Sequence, residues 1–226
     1  MKDYQKETLE KKFNIKLQAK IPTIYSSNQL IFEADAACVK ISRENEYFLD
    51  IVNDIDQRMA AKTAILVFFE NEQILESFAN YSNFQKYRGQ TNRLTEKISM
   101  TEKEKFIKTA SRAQSISLLT RSFGRGTDFV VVDPDVIAKG GVHVLQTFFS
   151  ENEAEEVQIK GRTARQGEKG SYSMILKFEC LEKWDFTEIN FKNLKGLKAY
   201  EYLVENRRKL SEIKYNDLVK QVSALE

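Results

Sequence analysis

Short runs of β-branched and aromatic residues alternate along the chain with stretches whose apolar residues recur at helical spacing, the pattern of a parallel α/β sheet. Ala64-Ile-Leu-Val-Phe-Phe69 has no polar position, as expected of a strand covered on both faces. The runs 115–120, 129–133, 142–149 and 172–178 read as further strands, and 20–25 and 30–32 as extended segments. Tyr47, Phe48, Ile51, Val52, Ile55 and Met59 share one helical face behind a candidate N-cap at Ser42. Asn71 is placed to cap a second helix carrying Ile74, Leu75 and Phe78. Thr101-Glu-Lys-Glu104 and Ser150-Glu-Asn-Glu153 have the form of capping boxes, so helices are expected to start there. After Glu182 the pattern becomes helical only: Leu197, Tyr200, Leu203, Leu210, Ile213, Leu218 and Val222 predict one or two amphipathic helices. The expected organisation is a linker segment over 1–40, an α/β domain over 41–182 and a helical tail over 183–226.

Charge and composition narrow the function classes. The 226 residues carry a net charge of only +2, which excludes an overall cationic nucleic-acid binder and an acidic disordered tail. Hydrophobic residues at 42% with 2 prolines and 9 glycines describe an ordinary globular chain able to bury a proper core. The apolar runs are far shorter than a membrane span and the first residues lack a signal-peptide core, so a cytoplasmic location is expected. Cys38 and Cys180 stand far apart, a reducing-compartment pattern with no disulfide framework. His143 is the sole histidine, which leaves no multi-histidine metal site, and no metal ligands are expected. Its neighbours Val142, Val144 and Leu145 place it on a strand, where the expected role is structural.

Two segments carry candidate chemistry. Thr120-Arg-Ser-Phe-Gly124-Arg125-Gly126-Thr-Asp128 follows an expected strand, and ligands of open α/β sheets bind beyond the carboxyl ends of strands. Glycines flanking Arg125 let backbone approach a ligand, and Asp128 could accept from a sugar hydroxyl. The second segment, Gln158-Ile-Lys-Gly161-Arg162-Thr-Ala164-Arg165-Gln166-Gly167, ends an expected helix. If that helix continues through them, Arg162 and Arg165 share a face and can reach one anion, for which the guanidinium fork is suited. Each segment also has a plain structural alternative: a glycine turn with a surface arginine, and a cationic helix end that offsets the helix dipole.

Taken together, in this order and at this separation, the segments resemble motifs V and VI of superfamily-two helicases. Gly124-Arg-Gly-Thr-Asp128, Arg165-Gln-Gly167 and the Gly140-Gly-x-His143 segment between them narrow the resemblance to SecA, the protein-translocation ATPase, over about residues 12–180. Ile21-Pro-Thr23 is similar to the Pro-Thr step before SecA's second motor half. The resemblance implies a RecA-like second motor domain with a parallel sheet flanked by helices, preceded over residues 1–40 by the linker from a first half. It implies that Arg165 is an arginine finger and that Arg162 is a second contact to the terminal phosphate. It further implies that Gly124, Gly126 and Asp128 face the nucleotide, while Arg125 and Gln158 couple the site to the other half. ATP and Mg2+ are the implied cofactors. The first motor half of the same polypeptide is the implied partner, with a preprotein and a membrane channel beyond it and a peripheral place at a membrane.

This sequence departs from that family at Ala164, where SecA has glycine, and over 147–155, which lacks SecA's arginines and histidine. It also holds no Gly-x-x-x-x-Gly-Lys phosphate loop; Ala60-Ala-Lys-Thr63 lacks the glycines and precedes a strand. The 226 residues therefore read as half of an ATP site within a longer polypeptide, inactive alone. The alternatives are the corresponding half of a nucleic-acid helicase, disfavoured by the charge balance, and a non-enzymatic interaction module on the same fold.

Overall fold

The computed structural model describes residues 6, 10, 11, 13–15, 17, 19, 29–32, 38–127, 129 and 133–223. The expected extended segment at 20–25, most of the expected strand at 129–133, and Asp128 lie outside these residues. Among the described residues seven parallel strands form one sheet: β1 (Gln29–Ile31), β2 (Val39–Ser42), β3 (Ala64–Phe69), β4 (Thr91–Leu94), β5 (Ile116–Thr120), β6 (Val142–Gln146) and β7 (Lys169–Lys177). Their order is β1-β7-β6-β3-β5-β4, and β2 joins the same side of β7 further along, pairing Val39 with Met174. The helices are α1 (Glu44–Ala60), α2 (Glu72–Ala79), α3 (Met100–Ala110), α4 (Pro134–Ala138), α5 (Glu153–Lys160), α6 (Glu188–Asn193) and α7 (Gly196–Ser223).

Alternation along β3 builds the two cores. Ala64, Leu66 and Phe68 face a layer formed with Ala110 of α3, Ile159 of α5 and Ala199 and Leu203 of α7. Ile65, Val67 and Phe69 face α1 and α2 through Ile51, Ile55, Leu75 and Phe78. The α/β class, the helix-flanked parallel sheet and the helical tail are those the sequence predicts.

Helix starts differ from expectation in an instructive way. Asn71 caps α2, accepting from the Ile74 amide at 2.9 Å. Ser42 does not cap α1; it ends β2, and its hydroxyl donates to buried Asp50 at 2.5 Å. The capping box of α3 is Ser99–Glu102, not the 101–104 set, and Asn152 caps α5 because Ser150 is buried beneath α7. Asp133, expected in a strand, caps α4 through the Asp135 amide. Cap motifs are short and recur by chance, so their spacing alone does not fix which residue caps.

His143 is fully buried on β6. Its Nε2 lies 3.1 Å from Asp54 of α1, and its Nδ1 lies 2.8 Å from the Ser171 hydroxyl. Asp54-His143-Ser171 has the connectivity of a nucleophilic triad, but the imidazole is fully buried and its Nε2 also lies 2.9 Å from the Ser173 hydroxyl. The role is structural, as expected. Burial holds the His143 ring neutral, pushing its pKa below the ordinary value against the pull of Asp54. Burial pushes Asp54 the other way, but the hydrogen bond from His143 and the nearby Arg58 charge outweigh it, leaving its pKa lowered. Below about pH 6.5 the unfolded chain takes up a proton that the folded imidazole refuses, so stability falls with pH from there. The Asp54 contribution is lost in turn as pH falls through the carboxylate range. The urea midpoint should therefore be lower at pH 5.5 than at pH 7.5 by ~0.2–0.5 M; a higher midpoint at pH 5.5 would refute the assignment.

Candidate functional site

The two arginine segments meet in the fold. The first leaves the carboxyl end of β5 as a 3-10 turn, Arg121–Gly124, with Phe123 buried. A side chain at Gly124 would bring a Cβ within 2.8 Å of the Ile159 side chain, so glycine there lets α5 approach closely. Arg125 and Gly126 are exposed, and Gly126 takes φ +65° with open space around it.

The second segment is a loop, not a continued helix. α5 ends at Lys160 with Gly161 as its C-cap, so Arg162 and Arg165 do not share a helical face as the sequence suggested. Thr163 is buried and its hydroxyl donates to the Val142 carbonyl; further on, the Gly167 carbonyl accepts from Gln29 at 2.6 Å. The loop lies so close to β7 that a Cβ at Gly170 would fall 1.9 Å from the Thr163 hydroxyl and 2.5 Å from the Ala164 amide. Arg165 is half-buried between these two anchors, and its carbonyl accepts from the Glu168 amide at 2.9 Å.

Arg162 joins the segments. Its Nε donates to the Gly124 carbonyl at 3.1 Å, its Nη2 to the same oxygen and its Nη1 to the Thr127 carbonyl. Nearer the start of α5, Arg121 makes a bidentate pair with Glu155 at 2.8 and 2.7 Å and lies over the Phe148 ring. Gln158 is exposed on α5. The Thr127 hydroxyl is buried with no hydrogen-bond partner among the described residues, next to Asp128, which lies outside them.

Ala164 takes φ +51°. That is left-handed backbone, costly for a residue with a Cβ, and it falls at the position where the resembling family has glycine. Ala164→Gly should relieve about 1 kcal/mol of strain, offset in part by the greater freedom of glycine in the unfolded chain. A small rise in melting temperature is expected; a fall would show that the loop is unstrained.

The cavity beyond the strands' carboxyl ends lies elsewhere. It has a volume of about 450 Å³, opens between β3 and β6, where the chain reverses its direction across the sheet, and is lined by Tyr47, Asn71, Thr147, Phe149 and Lys177 among others. None of the described site residues lines it; the first segment packs toward α5, where the Gly124 carbonyl accepts from Arg162. Among the described residues no group of acidic, histidine or cysteine side chains is arranged to hold a metal ion, and no helix is long and apolar enough to cross a membrane.

The sequence reading missed Glu156, Lys160 and Arg207. Glu156 and Arg207 are buried together, at 2% exposure each, and Lys160 joins them at 2.7 Å from Glu156. Burial pushes the Glu156 pKa up, but the Lys160 and Arg207 charges outweigh it and hold it below the ordinary glutamate range. Two signals were available: the i, i+4 spacing of Glu156 and Lys160, and a charge at 207 on the apolar stripe of Tyr200, Leu203 and Leu210.

No family model matches the chain. Among curated proteins it is 26% identical over 159 residues to the protein translocase subunit SecA of Syntrophobacter fumaroxidans, covering 70% of this chain and 18% of that protein. It is 27% identical over 149 residues to SecA of Chlamydia abortus (63% and 15%), and 37% identical over 73 residues to SecA 2 of Nitrosospira multiformis (32% and 11%). The chain thus spans less than a fifth of the length of these relatives. Among solved structures, domain 2 of the Mss116p DEAD-box helicase bound to an RNA duplex aligns over 70% of this chain and 59% of that one, at 20% identity and TM-score 0.49. Likeness of this extent to SecA, with both arginine segments in that family's order, makes the chain SecA-like, of the C-terminal motor-domain type.

Proposed function

We infer that this chain is the motor half that completes an ATP site, supplying Arg165 as an arginine finger to a nucleotide held by a first half of the same protein. The observation that carries this reading is the Arg162 clasp on the Gly124 and Thr127 carbonyls, which joins the two arginine segments into one rigid surface. Beside it stand exposed Arg125, Gly126 and Gln158 and half-buried Arg165. Such a surface suits a polyphosphate in part only. Arginine forks and unobstructed glycine backbone are present, whereas the amide cradle of a phosphate loop is not. Bound ATP with Mg2+ would supply the transferable phosphoryl group. Arg165 would donate to its terminal oxygens, Gly126 and Asp128 would face the nucleotide, and Arg125 and Gln158 would meet the first half. Arg162 reaches phosphate only by giving up its two carbonyls, so in the separate half it acts as a strut.

SecA-like similarity favours a preprotein as the moved substrate, with a membrane channel as its outlet and a place at the membrane periphery. The near-neutral net charge of +2 supports this reading over a nucleic-acid track. The first test is calorimetry. The chain alone should bind ATP no more tightly than millimolar, because the phosphate loop supplies most nucleotide contacts in such motors. Micromolar affinity of the chain alone would sink the shared-site reading.

A further inference from the structure

Among the described residues Arg207 is the bulkiest of the fully buried side chains, yet it is charged and sits on the docked stripe of α7. Its Nη1 donates to Glu156 at 2.6 Å and to the Ser150 carbonyl at 3.1 Å, and its guanidinium lies 4.6 Å from the centre of the Phe149 ring. The other Glu156 oxygen accepts from the Tyr200 hydroxyl, also on α7, and from the Lys160 ammonium at 2.7 Å. Lys160 donates in turn to the Tyr200 oxygen at 2.8 Å and stands 4.4, 5.0 and 4.8 Å from the ring centres of Phe32, Tyr172 and Tyr200. The tail helix therefore grips the last turn of α5, from Glu156 to Lys160, through buried charge.

A buried ion pair adds little stability over apolar residues of the same volume, but it is demanding about geometry, because either partner left alone is a buried charge. α5 is a short helix, Glu153–Lys160, and the strut Arg162 follows its end by two residues. Whatever fixes the rotation and height of α5 also fixes where the 161–168 loop departs. Arg121–Glu155 pins the opening turn of α5, and the tail cluster pins its last turn.

We propose that Arg207 and Glu156 are positioning residues: through them α7 sets the placement of α5 and so of the loop that carries Arg165. Neither side chain contacts the nucleotide; they act through the helix end. A movement of the tail is thereby transmitted to the finger loop. The structural part of this proposal is independent of the ATP reading, and its functional part rests on Arg165 being the finger.

The test has two arms. In the first, amide hydrogen exchange is followed in this chain for Tyr200→Phe, which removes only the bridging hydroxyl, and for Arg207→Met and Arg207→Lys. Exchange across 162–168 should quicken by about ten-fold or more in Tyr200→Phe and Arg207→Met, with β3 and β6 unchanged and with partial recovery in Arg207→Lys. An unchanged loop, or uniform quickening across the sheet, overturns the proposal. In the second arm, the longer protein carrying Tyr200→Phe should lose kcat by about ten-fold with KM for ATP within about two-fold. Unchanged kcat in that variant, where Arg165→Ala abolishes turnover, also overturns it. If Arg165→Ala leaves turnover intact, the finger reading fails, and the exchange arm alone decides whether the tail positions the loop.

Discussion

Arg165→Ala in the longer protein is expected to lower ATP turnover by about 10³ to 10⁵-fold, or about 4–7 kcal/mol of barrier, while leaving ATP affinity nearly unchanged. An arginine finger acts on charge that develops on the terminal phosphate oxygens, so its loss is felt in the transition state far more than in the ground state. Arg165→Lys should not restore turnover, because an ammonium is a point charge and cannot reproduce a planar fork. Arg165 stands half-buried between the Thr163 and Gly167 anchors, whose hydrogen bonds to Val142 and Gln29 involve other residues. Amide exchange over 162–168 in Arg165→Ala separates lost chemistry from a displaced loop. Arg162 would be a poor choice for the same purpose, since Arg162→Ala releases the Gly124 and Thr127 carbonyls and disturbs structure and chemistry together. Turnover of Arg165→Ala within ten-fold of the parent would show that Arg165 is not the finger.

The second large effect is expected in the tail. Deleting residues 195–226 removes Ala199 and Leu203 from the core under α5 and takes Arg207 away from buried Glu156. Lost apolar burial and a carboxylate stranded beside Lys160 should together cost about 4–8 kcal/mol. For a domain of this size that corresponds to a fall in melting temperature of about 10–25 °C. Deleting only 213–226 should change it by less than about 2 °C, because Ile213, Leu218 and Val222 are 56%, 57% and 41% exposed and bury little. Calorimetric scans of the two truncations distinguish a docked proximal half from a helix that packs along its whole length. Equal shifts would refute the division.

This division was only half visible in the sequence. The apolar spacing from Leu197 to Val222 predicted the helix, but spacing cannot say where along a helix its partner surface ends. That depends on the position of α5 and β2, which α7 meets only in its first half. The same limit explains β2 and β4. β4, Thr91-Asn-Arg-Leu94, carries no apolar alternation, and it is a strand because β5 offers it an edge.

By itself the sequence determined the α/β class, the central strands near 64–69, 115–120 and 142–149, the buried structural role of His143 and the SecA-like pairing of two arginine segments. Each of these is written in local information: apolar runs of strand length, a histidine flanked by valines, and glycines and arginines at short fixed spacing. Only the tertiary structure decided that α5 stops at Lys160, that Arg162 is held by the carbonyls of a segment far away in sequence, and that Arg207 and Glu156 form a buried pair. Those facts depend on residues distant in the chain meeting in space. A guanidinium has the same local signature whether it faces water, phosphate, a carbonyl or a buried carboxylate, and only the surrounding packing selects among them.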